Sequence, residues 1–87
     1  TLTGAARIAL GPDLPATFGN RDGLVDALVH AGRRVADPLW PMPLPPEYQR
    51  YLDSPIADFN NAGSTRMGGA ITAALYLQRF VPDSVPW

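Results

Sequence analysis

Apolar positions along the chain fall into short runs separated by glycine and proline, and this punctuation predicts the elements. Thr1-Leu2-Thr3 reads as the end of a strand. Gly4 then opens an apolar stretch, Ala5 to Leu10, helical by its alanine content and closed by Gly11-Pro12. Within residues 14–19, Ala16, Thr17 and Phe18 lie between turn residues and read as a short strand. Asn20 is placed to cap the next element. Over residues 22–35, Leu24, Leu28, Ala31 and Val35 recur at spacings of four, three and four, which lines one face of a helix. Asp37-Pro38 ends that helix, because a residue before proline is pushed out of helical geometry.

Five prolines make residues 37–47 an extended connector. Its Leu39, Trp40, Met42 and Leu44 are expected to pack onto the body, since a free proline-rich segment would leave them in water. Residues 47–52 read as a short helix, 56–59 as a strand and 60–69 as a glycine-rich loop. A last helix is predicted over 70–81, with Ile71, Ala74, Leu75 and Phe80 on or near one side and Pro82 as its stop. Strand and helix alternate, so the fold class is α/β, part of a layered α/β/α sheet domain.

Composition supports a buried core. Apolar residues are 46% of the 87 and charged residues 17%, outside the range of disordered chains. The net charge is −1, and the seven basic residues, all Arg, are scattered without forming a patch. Neither nucleic acid nor a membrane surface is therefore an expected partner. With no Cys, disulfides, thiolate metal sites and cysteine nucleophiles are excluded. No apolar run approaches the roughly 20 residues a spanning helix needs, and a cytoplasmic location is expected. The chain begins at Thr1 rather than Met, and we expect a piece of a longer protein.

Several residues invite a chemical reading. His30 is the one side chain with an ordinary pKa near neutrality, but it sits mid-helix with no nearby Ser or Cys, which suits a surface or packing role. Asp22 and Asp26, one turn apart at a helix start, suit the positive end of the helix dipole. Asp58, at the end of a predicted strand, is placed where open α/β sheets host sites, although Asp there also serves turn hydrogen bonds. Gly63 and Gly68 have the spacing of a phosphate-binding loop. Gly69 and Ala70 stand where that loop needs Lys and Ser or Thr, so its glycines are better read as permitting a tight path or close packing. Thr1 is also open to a reading as an N-terminal nucleophile, but no Lys is present to activate it.

Three stretches, in order, resemble the catalytic domain of the leucyl (cytosol) aminopeptidase family. They are Thr1-Leu2-Thr3-Gly4-Ala5; Tyr48 with Leu52-Asp53-Ser54-Pro55-Ile56-Ala57-Asp58-Phe59-Asn60-Asn61-Ala62-Gly63; and Gly69-Ala70-Ile71-Thr72-Ala73-Ala74-Leu75-Tyr76-Leu77 with Phe80-Val81 and Trp87. The resemblance covers essentially the whole chain, as the C-terminal part of that domain. It implies an enzyme that removes N-terminal residues from peptides with two divalent cations, manganese or zinc. In the family the metal ligands come earlier, including an Asn-Thr-Asp-Ala-Glu-Gly-Arg motif just upstream of the stretch matched by Thr1.

The matching positions imply substrate binding. The Leu2 carbonyl and Gly4 amide would hold the peptide main chain, Thr1 would border the pocket for the first side chain, and Ala62 stands where the family often has a larger apolar residue facing the second. By the same resemblance, the partners are a peptide, the rest of the catalytic domain and the other subunits of a hexamer. The 87-residue chain alone is expected to be inactive and to bind no metal. The competing reading is a non-catalytic packing or interaction module that keeps the fold.

Overall fold

The computed structural model describes residues 4–52 and 67–87. In chain order the elements are α1 (Ala5–Leu10), β1 (Ala16–Thr17), α2 (Asp22–Arg34), β2 (Trp40–Pro41), a 3₁₀ helix (Pro46–Leu52) and α3 (Gly69–Gln78). The expectations at residues 1–3, for a strand at 56–59 and for Asp58 lie outside the described residues.

β1 and β2 pair in parallel, with Ala16 beside Trp40 and Thr17 beside Pro41. Parallel neighbours need a long crossover, and α2 supplies it, so 16–41 is a small βαβ unit. The Trp40 amide donates to the Pro15 carbonyl and the Met42 amide to the Thr17 carbonyl, both at 2.9 Å. Pro41 lies between these donors, on the phase of the strand that points away from β1, so its missing N–H removes no bond from the ladder. The proline-rich connector was expected to be extended, and within it Trp40–Pro41 also pairs as a strand, which the sequence alone did not predict. Leu39, Met42 and Leu44 are partly covered as expected, whereas Trp40 is half exposed.

α2 corrects two expectations. Its cap position is Arg21, with no side-chain capping bond, so Asn20 does not cap the helix. The buried residues are Val29 and Gly32, flanked by half-buried Val25, while Leu24, Leu28 and Val35 are exposed. The apolar arc is broad enough to contain both rows, and packing selected the one holding Gly32. At that glycine a Cβ would collide with the Asp37 carbonyl, so the returning chain can touch the helix backbone only where a side chain is missing.

The end of α2 is a Schellman closure. The Asp37 amide donates to the Gly32 carbonyl at 2.8 Å, and Ala36 takes the left-handed conformation, φ 58°, usually given to glycine. Asp22 in the first turn and Arg33 and Arg34 in the last complement the helix dipole.

α3 runs over Gly69–Gln78, slightly shorter than the predicted 70–81. It buries Thr72, Ala74 and Leu75, whereas Phe80 lies beyond the helix and is exposed. Leu75 and Leu52 of the 3₁₀ helix are each only 1% exposed, which places the best-covered part of the described core between these helices. Arg79 fastens the same pair, its Nε donating to Gln49 Oε1 at 2.8 Å and its Nη2 to the Gln49 carbonyl at 3.3 Å. On its other side α3 meets α1 through small residues: a Cβ on Gly69 would stand 3.5 Å from the Ala5 Cβ, an ordinary contact.

Candidate substrate-binding segment at Gly4

Of the four residues expected to bind substrate, Gly4 is the one that lies among the described residues; Thr1, Leu2 and Ala62 lie outside them. Gly4 is the cap residue of α1, in the left-handed conformation with φ 74° and ψ −1°. Its carbonyl accepts the first helical bond, from the Ile8 amide at 3.0 Å. That φ calls for a glycine, and among the described residues beyond its chain neighbours no atom lies within 4 Å of where its Cβ would be. The backbone therefore turns sharply into α1 at a residue that is exposed among the described ones.

An open groove of about 370 Å³ begins beside Gly4, between α1, β1 and α3. Ala5, Ala16, Phe18, Ala73 and Leu77 supply much of its apolar wall. Sequence reasoning did not assemble this groove, since its walls come from separated segments. The usable local signal was the run of small residues, Ala5-Ala6 and Gly69-Ala70, which lets two helices stand close together.

The remaining chemical suspects are dispersed. His30, Asp22 and Asp26 are all exposed on α2, away from any nucleophile–base arrangement. Among the described residues, no group of three or more His, Cys, Asp or Glu side chains comes together as a metal site would require. The described residues thus do not fit the two-cation site implied by the family resemblance. At the glycine-rich segment, the part described agrees with a tight backbone path. Gly68 has φ 65°, and its Cβ would lie 3.4 Å from the Tyr48 ring. Thr72 then anchors the first turn of α3, its hydroxyl donating to the Gly68 and Gly69 carbonyls at 3.3 and 3.2 Å.

A parallel crossover unit joined to helices that begin on left-handed glycines is the architecture of a layered α/β domain segment. The pattern that defines the catalytic domain of the cytosol aminopeptidase family matches residues 1–87. The whole chain is 52% identical to a probable cytosol aminopeptidase of Rhodopseudomonas palustris (strain BisB5), covering 17% of that protein. In structure, it resembles the cytosol aminopeptidase of Coxiella burnetii with a TM-score of 0.91 and 58% identity, over 99% of this chain and 19% of that one. A mutant of tomato leucine aminopeptidase matches with a TM-score of 0.92 and 41% identity, over 99% of this chain and 17% of that one. The chain belongs to the cytosol aminopeptidase family, and it spans about 17% of the length of the curated relatives it matches.

Proposed function

We propose that this chain is a segment of the catalytic domain of a two-metal aminopeptidase that hydrolyses N-terminal residues from peptides. In this reading it contributes main-chain groups to the substrate site and no metal ligands. The supporting observation is the match of all 87 residues to the catalytic domain, with about half of the positions identical to a probable cytosol aminopeptidase. Two divalent cations, manganese or zinc, belong to other parts of the parent, together with the residues that hold them.

The Gly4 amide and Leu2 carbonyl are assigned to the peptide main chain, Thr1 to the border of the first side-chain pocket and Ala62 to the second. Backbone donors and acceptors read any peptide alike, which suits an exopeptidase acting on many sequences. The exposed, left-handed turn at Gly4 supports its assignment, because among the described residues beyond its chain neighbours no side chain crowds the position. The proposed partners are a peptide substrate, the rest of the catalytic domain and further copies in a hexamer; the proposed location is the cytoplasm, after the name its relatives carry.

The test is hydrolysis of leucine p-nitroanilide by this chain and by a parent protein containing it, each with added manganese or zinc. Activity in the parent alone is the expected result. Metal-independent turnover by the 87-residue chain would overturn the proposal in favour of Thr1 as nucleophile, and an inactive parent would favour a packing or interaction module.

A further inference from the structure

We draw no further inference here: the strongest candidate, the uncovered half of the apolar arc on α2 formed by Leu24, Leu28 and Val35, carries nothing because nothing in the structure shows what covers it.

Discussion

Asn20 and Trp87, 67 positions apart, hold each other by two reciprocal hydrogen bonds. The Trp87 backbone amide donates to Asn20 Oδ1 at 2.9 Å, and the Asn20 backbone amide donates to the Trp87 carbonyl at 3.1 Å. Asn20 Nδ2 also donates to the Val85 carbonyl at 2.8 Å, and Arg21 Nη2 to the Asp83 carbonyl at 2.7 Å. The tail after α3 is thereby strapped to the entrance of α2. A single amide side chain mimics a peptide unit, offering a donor and an acceptor to the same strand of backbone.

Replacing Asn20 by Ala removes both side-chain bonds and keeps the backbone one. We expect a loss of about 1–3 kcal/mol, two ordinary hydrogen bonds at about 0.5–1.5 each. Urea unfolding measures that loss, and faster amide exchange at Trp87 locates it in the tail. Asn20→Asp should be intermediate, because it still accepts from Trp87 but cannot donate to Val85.

Gly32 and Ala36 define opposite responses at the end of α2. Gly32→Ala places a methyl group on the Asp37 carbonyl, and the strain, typically about 1–3 kcal/mol, exceeds the roughly 1 kcal/mol helix-propensity gain. Ala36→Gly should instead raise stability, since an L residue in the left-handed region costs roughly 1–2 kcal/mol, partly offset by the greater freedom of unfolded glycine. Thermal melts that rise for Gly32→Ala or fall for Ala36→Gly would contradict the Schellman geometry.

Core and surface should separate cleanly. Leu75→Ala is expected to cost about 2–5 kcal/mol, because Leu75 is only 1% exposed and the emptied space lies in the best-covered part of the described core. Exposed His30→Ala should change stability by less than about 0.5 kcal/mol. In the parent, His30→Ala should also leave hydrolysis unchanged; a large fall in kcat would return that residue to the chemistry.

The proposed role of Gly4 can be isolated with Gly11 as control. Both have positive φ values, 74° and 87°, and among the described residues beyond their chain neighbours neither has an atom within 4 Å of its would-be Cβ. Alanine therefore strains both positions, and Gly11 the more, because its ψ of 178° lies in a region essentially reserved for glycine whereas Gly4, with ψ −1°, is αL. In the parent, Gly4→Ala should lower kcat/KM by at least about tenfold, equivalent to about 1.4 kcal/mol of transition-state stabilisation, while Gly11→Ala should not. Equal kinetic effects at the two glycines would remove Gly4 from the substrate site.

Local chemistry along the chain was enough to place most elements. Alanine content and Gly11-Pro12 delimit α1, and the residues ahead of Pro38 and Pro82 mark where α2 and α3 must already have ended. These are near-neighbour effects, written within a few positions of where they act. The family motif at residues 1–5 was legible in the same way, and so was Gly4 as the opening of α1, whereas its left-handed conformation came only from the structure.

Tertiary structure decided which of two apolar rows on α2 is buried, because Val25, Val29 and Gly32 compete with Leu24, Leu28 and Val35 on one broad arc. Only the approach of Asp37 to a residue without a side chain settles that contest. It also decided that Asn20 binds the distant tail instead of capping its own helix, and that Trp40-Pro41 becomes a strand once Pro15 and Thr17 offer carbonyls. By itself, then, the sequence determined where elements start and stop and which family the chain resembles. The choice among equally apolar faces and equally capable polar partners depends on contacts between residues far apart in the chain, and those exist only after folding.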